Sequence, residues 1–188
     1  MTVLALGSNL SSSFGDRFQN IHIAILYLES YGIKVKKKSS FYESPSYPNK
    51  EDPMFVNVVV EVSTYLSAID LASVVIFIEE KLERKRGKKN EPRTCDIDII
   101  DYNGQIIDFK YKELVFTVPH TKLILRNFVL LPLQEILPKW EHPKTKETIS
   151  ALILKLPKED VKSILKVKKN WYSHKMIDQK DLIKKVKN

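Results

Sequence analysis

The sequence predicts an α+β domain with an antiparallel sheet. Three observations predict it. Short apolar runs with two-residue alternation mark the strands. Segments with apolar residues at helical spacing separate them. Their order along the chain is β-α-β-β-α-β. That order is the ferredoxin-like plan, with the helices on one face of the sheet. A C-terminal helical extension follows.

Residues 2–6 are an apolar run ended by Gly7-Ser8-Asn9, which reads as a buried strand and a turn. Ser11 to Ser13 are candidate caps for the next segment. There Phe18, Ile21, Ile25 and Leu28 have helical spacing, and Gly32 suits a helix C-terminus. Residues 33–43 read as a strand, and the proline-bearing stretch Ser44 to Pro53 as a loop. Met54 to Thr64 is a strand whose Val56, Val58, Val60 and Val62 share the core face. Ser67 with Asp70 suits a helix start, and Leu71, Val74, Val75, Ile78 and Leu82 continue it. Glu83 to Glu91 is a charged surface loop. Thr94 to Tyr102 is the next strand, residues 103–113 a hairpin-like excursion, and Val115 to Val118 a short strand. Leu123 to Leu131 reads as a helix stopping near Pro132, with a second short helix to Leu137.

The chain has 188 residues, enough for one domain with a substantial core. Its net charge is +8, but Pro157 to Asn188 holds ten Lys against four acids. The body is therefore nearly neutral, which argues against nucleic acid as the partner. We expect a domain over 1–156 and a Lys-rich extension over 157–188, helical or partly disordered. Within that extension, Met176 to Val186 has a helical pattern. The single cysteine, Cys95, excludes an intrachain disulfide and fits a reducing compartment. The N-terminus reads as a strand and not as a signal peptide, and no apolar run is long enough to span a membrane. A cytoplasmic monomer is the expectation.

Four groups of residues could carry chemistry. Asp96 and Asp98 lie two apart on a strand and so point to one face. Asp is disfavoured in strands, and magnesium takes such carboxylates together with phosphate oxygens. Spacing alone leaves both a metal pair and an ordinary solvent-facing strand edge open. Arg84, Lys85, Arg86, Lys88 and Lys89, followed by Arg93, form a cationic run beside them. It is either a solvated surface or a loop that closes on a polyphosphate. His120 and Arg126 are polar candidates that could equally be structural. Ser44-Pro45, Phe55 and Asn57 could stack on and hydrogen-bond a flat heterocycle, or simply pack. No P-loop, protein-kinase signature or Cys/His metal cluster is present.

These stretches resemble the 6-hydroxymethyl-7,8-dihydropterin pyrophosphokinase family from about Thr2 to Leu137. The matching segments are Ala5-Leu6-Gly7-Ser8-Asn9-Leu10, Ser40-Phe41-Tyr42-Glu43-Ser44-Pro45, Phe55-Val56-Asn57, Pro92 to Asp98, Val118-Pro119-His120, and Arg126 to Leu130 with Pro132-Leu133. The resemblance implies pyrophosphoryl transfer from ATP to the pterin hydroxymethyl group, with AMP leaving, in folate biosynthesis. It implies that Asp96 and Asp98 hold two magnesium ions (Mg2+). Arg84, Arg86 and Arg93 would act on the phosphates, and Glu79, His120 and Arg126 would join them at ATP. Phe55 and Phe128 would sandwich the pterin, with Ser44, Pro45 and Asn57 at its edge. The chain departs from the family pattern at Asn90-Glu91, where Trp-Gly is usual, and at Ile76, Val115 and Phe55.

Overall fold

The computed structural model describes residues 1–85, 87 and 91–168. Arg86, Lys88, Lys89 and Asn90 lie outside the described residues, as does the stretch 169–188 with its helical pattern at Met176 to Val186.

The chain runs β1 (Thr2–Ser8), α1 (Arg17–Ser30), β2 (Lys34–Lys38), β3 (Tyr42–Ser44), β4 (Phe55–Ser63), α2 (Ala68–Lys81) and β5 (Asp96–Tyr102). A hairpin follows, β6 (Ile107–Tyr111) and β7 (Leu114–Val118). After a 3-10 turn at Leu123–Leu125 come α3 (Asn127–Ile136), α4 (Ile149–Leu154), α5 (Lys158–Lys162) and β8 (Leu165–Lys166). The main sheet has the order β5-β1-β4-β3-β8, with β2 also on β4, and all its pairs are antiparallel.

Local chemistry sets the element ends. Asp16, not Ser11 to Ser13, caps α1: its carboxylate accepts from the amides of Phe18 and Gln19, and Gln19 returns a bond to the Asp16 amide. Gly32 ends α1 at φ +74°, where only a residue without Cβ sits free of strain. Residues 33–43 are two strands instead of one. Ser39 explains the break, because its hydroxyl accepts from the Val59 amide and draws the chain out of the ladder. α3 runs through Pro132 without ending there. The second strand pair, β6 with β7, forms a sheet of its own.

The valine stripe of β4 is fully buried, with Val56, Val58, Val60 and Val62 against α1 and α2. Each such side chain contributes about 2 kcal/mol. The expectation of helices on one face needs correction. Val3, Val59 and Ile100 point the other way and form a second core with Leu130 and Leu133 of α3 and Leu152 of α4. Both faces are apolar over part of their area, so both are covered. Trp140 joins this second core and donates its indole N–H to the buried Asp101 at 2.8 Å. A bulge helps, because Leu4 pairs with Ile99 and Val3 with Asp101, leaving Ile100 as an extra residue. Residues 157–168 are only partly helical, since β8 adds an edge strand to β3. Among the described residues no helix is long and apolar enough to cross a membrane.

His22 of α1 packs edge-on to Phe41 at 5.4 Å, and its Nε2 is buried without a hydrogen-bond partner. Burial first, and the nearby Lys38 second, push its pKa down to about 4 from 6.5. The folded protein thus refuses a proton that the unfolded chain accepts. The sign follows: stability is full above pH 6.5 and falls as pH drops toward 4, by about 3 kcal/mol at most. In urea titrations across that range, His22→Leu should show a shallower loss than wild type. Parallel curves would mean that His22 does not contribute.

Candidate active site

The site lies on the sheet face that carries α3. Antiparallel register places it there. Asn57 of β4 and Asp96 of β5 both pair with Gly7 of β1, and Tyr42 of β3 pairs with Asn57. Directly opposed residues share a face, so Tyr42, Asn57, Gly7 and Asp96 form one row. In the next row inward, Val59 and Asp98 flank Ala5. Two strand spacings, about 10 Å, separate Asn57 from Asp96. The residues between them, Gly7 and Ala5, are the two smallest available, so the floor is open. A Cβ at Gly7 would meet Asn57 Oδ1 at 3.4 Å and Phe55 at 3.6 Å, so a larger side chain would close the gap.

At one end of this floor sits a carboxylate–guanidinium cluster. Asp96 accepts from Arg84 at 2.6 Å and from Arg93 at 3.0 Å. Asp98 pairs with Arg126. Glu79, reaching from α2, pairs with Arg84 and accepts from the Ile97 amide at 2.8 Å. Among the described residues three acids therefore face three arginines, with Glu79 almost fully buried beneath them. Burial alone would raise the Asp96 carboxyl, but Arg84 and then Arg93 hold it below its ordinary value. Burial lowers the His120 pKa, against a smaller opposing effect from Asp98. His120 Nδ1 accepts from the Lys122 amide at 3.0 Å, so the neutral ring carries its proton on Nε2.

At the other end lie aromatic and amide groups. Asn57 is buried and donates from Nδ2 to the Ser44 hydroxyl at 3.0 Å and the Tyr42 carbonyl at 3.3 Å. These two bonds set the amide's orientation and commit its donor side, so Oδ1 is the end available to accept from a ligand. Phe55 and Phe128 are half-buried, and each carries a guanidinium over its ring: Arg93 and Arg126, both at 5.6 Å. Pro45 is half-buried next to Ser44.

The fold thus gathers Glu79, Arg84, Arg93, Asp96, Asp98 and Arg126 into one cluster, and Ser44, Asn57 and Phe55 at the other end of the floor. The same two arginines link cluster and rings. Arg86 falls outside the described residues. Of the departures, Ile76 is buried in α2, and Val115 is exposed. Sequence reasoning missed how Gly7 and Ala5 shape the floor, because only the strand order reveals that they lie between the two ends. It also missed Glu135, which is bonded to Ser40 and Tyr42.

The donor set suits magnesium. Among the described residues no group of three or more acids, histidines or cysteines could cage a metal alone. Two carboxylates on one face are what magnesium takes when substrate phosphates complete its coordination.

Residues 3–138 match the family model for 7,8-dihydro-6-hydroxymethylpterin-pyrophosphokinase. A folic acid synthesis protein of Dictyostelium discoideum is 40% identical, the match covering 82% of this chain and 22% of that protein. The 2-amino-4-hydroxy-6-hydroxymethyldihydropteridine pyrophosphokinases of Synechocystis sp. and Bacillus subtilis are 36% and 35% identical. Those matches cover 80% and 76% of this chain, and 73% and 81% of the relatives. The chain spans about a fifth of the length of the folic acid synthesis proteins it matches in D. discoideum, Schizosaccharomyces pombe and Pneumocystis carinii. The fold is similar to a crystal structure of Plasmodium falciparum HPPK-DHPS with pteroate, at TM-score 0.64 and 17% identity over 82% of this chain and 44% of that one.

Arg84 is the hinge of the cluster, since it bonds both Glu79 and Asp96. Arg84→Met should lower stability by about 3 kcal/mol, because it strips a countercharge from the buried Glu79 carboxylate. Adding Glu79→Gln should recover part of that loss. Urea midpoints at constant slope measure both. Equal midpoints for wild type and Arg84→Met would show that the pair contributes nothing.

Proposed function

This chain belongs to the 7,8-dihydro-6-hydroxymethylpterin-pyrophosphokinase family, and from that premise we propose that it transfers pyrophosphate from ATP to the hydroxymethyl group of 6-hydroxymethyl-7,8-dihydropterin, releasing AMP, as a step of folate biosynthesis. The observation that carries the reading is the row in which Asn57 and Asp96 stand on either side of Gly7. It supports a heterocycle-binding end and a phosphate-binding end on one floor.

Each end has a chemical task. The Asn57 Oδ1 accepts from an N–H at the pterin edge, while Phe55 and Phe128 offer faces for stacking. The transferred group carries dense negative charge, and its transfer needs positioning and neutralisation more than covalent help. Arg84, Arg93 and Arg126 supply that charge, and guanidinium forks match phosphate oxygens. In the free protein these arginines are held by Asp96, Asp98 and Glu79. Asp96 and Asp98 are the residues that would hold magnesium, which when bound supplies electrostatic stabilisation of the phosphate oxygens. Arginines relieved of their carboxylates would then be free for phosphate. The neutral His120 ring offers a donor from Nε2 to the same polyanion. No side chain at the floor is needed as a strong base.

We read the sheet as ferredoxin-like, supported by the order β5-β1-β4 with β2 and β3 on the outer side of β4. We further propose that the protein acts as a cytoplasmic monomer and does not bind nucleic acid. The near-neutral body supports the last point, as does the acidic pair on β5, where an RNA-binding sheet would show aromatic residues.

The test is incubation of the protein with ATP, magnesium and 6-hydroxymethyl-7,8-dihydropterin, followed by separation of nucleotides. AMP should form in step with consumed pterin. Asp96→Asn and Asp98→Asn should each cut turnover by about a thousandfold or more with an unchanged circular-dichroism spectrum. Wild-type protein that forms no AMP would refute the assignment, and full turnover in both variants would refute the metal ligands.

A further inference from the structure

One carboxylate ties together the two elements that border the proposed pterin pocket. Glu135 lies near the end of α3, the helix that begins beside Phe128. Its Oε1 accepts from the Ser40 amide at 3.1 Å and from the Ser40 hydroxyl at 2.8 Å. Its Oε2 accepts from the Tyr42 hydroxyl at 2.7 Å. Lys166 of β8 adds an ion pair at 3.3 Å. Ser40 precedes β3, and Tyr42 opens it.

The connection continues into the pocket. The Tyr42 carbonyl accepts from Asn57 Nδ2, and that same Nδ2 donates to Ser44, the last residue of β3. A shift of β3 would therefore rotate the Asn57 amide and misdirect Oδ1. β3 is only three residues long, and few ladder bonds hold it. What fixes it from outside is the Glu43–Arg17 ion pair toward α1, Glu135 toward α3, and β8 at the edge, where Tyr42 pairs with Lys166 and the Val167 amide donates to the Phe41 carbonyl at 2.9 Å. Burial would raise the Glu135 carboxyl, but its bonds from Tyr42 and Ser40 hold it below the ordinary value, so it is a charged acceptor at neutral pH. Charge-assisted bonds of this kind are the stronger ones.

We propose that Glu135 is a positioning residue for the pterin: it locks β3 to α3 and so sets the Asn57 amide and the distance between the pocket's walls. The inference rests on the pterin reading of the site. Glu135 touches none of the cluster formed by Arg84, Asp96 and Asp98, so its influence should stop at the pterin end.

The test compares wild type with Glu135→Gln and, as a milder probe, Tyr42→Phe, which removes one hydroxyl. Binding of 6-hydroxymethylpterin is followed by its fluorescence, and KM is measured for ATP and for the dihydropterin. Both variants should bind pterin about tenfold more weakly, the equivalent of one lost preorganising bond. Their KM for ATP should stay within about twofold of wild type, which a general loss of structure would not allow. If pterin binding is unchanged, or if both KM values rise together, the inference is overturned. If wild-type protein binds no pterin, the functional reading falls and the inference falls with it.

Discussion

The site depends on the double pairing of β1. This strand has β4 on one side and β5 on the other, both antiparallel, and its register sets which residues meet. Gly7 meets Asn57 and Asp96; Ala5 meets Val59 and Asp98. A slip by one residue on either side would turn the aspartates or the asparagine into the α1/α2 core. The buried valines of β4 and the isoleucines of β5 forbid that slip, because each would have to trade places with a polar neighbour. The geometry of the candidate site is thus held by apolar packing on the opposite face.

The same logic explains the balanced charge of the cluster. Ionised carboxylates cannot sit side by side in a half-buried site without countercharge. Arg84, Arg93 and Arg126 provide it, and they are also the groups best suited to phosphate. One set of arginines therefore balances the acids of the free protein and, in the proposed reaction, would also meet the phosphates. Glu79 anchors the arrangement from below through Arg84 and the Ile97 amide, so α2, β5 and the start of the cationic loop are fixed to each other.

Much of this was legible in the sequence. The valine alternation in β4 and the helical spacing of α1 and α2 are strong local signals, and they placed the main elements. Asp96 and Asp98 stood out because two acids interrupt an apolar strand. The missed features depend on partners far along the chain. Nothing local marks the break at Ser39, since it arises from a bond to Val59. The helix through Pro132 is held by packing of Val129, Leu130 and Leu133 on the second face, which outweighs the local cost of proline. The second core itself was hidden because Val3, Val59 and Ile100 alternate with residues already assigned to the first. Small residues such as Gly7 gain their meaning only from what stands across the ladder.

The pairing of β8 with β3 also has a consequence for solubility. Without residues 165–167, the outer edge of β3 would show unpaired amides and carbonyls next to apolar Phe41. Open edges of that sort recruit other strands. Lysines along β2 guard the remaining part of that edge by charge, whereas β3, with Tyr42 and Ser44 turned toward the site, holds a single charged residue, Glu43, which is paired with Arg17. The short strand supplied by residues 165–166 therefore protects the sheet against self-association at the point where the one charged side chain of the edge is already taken up by Arg17.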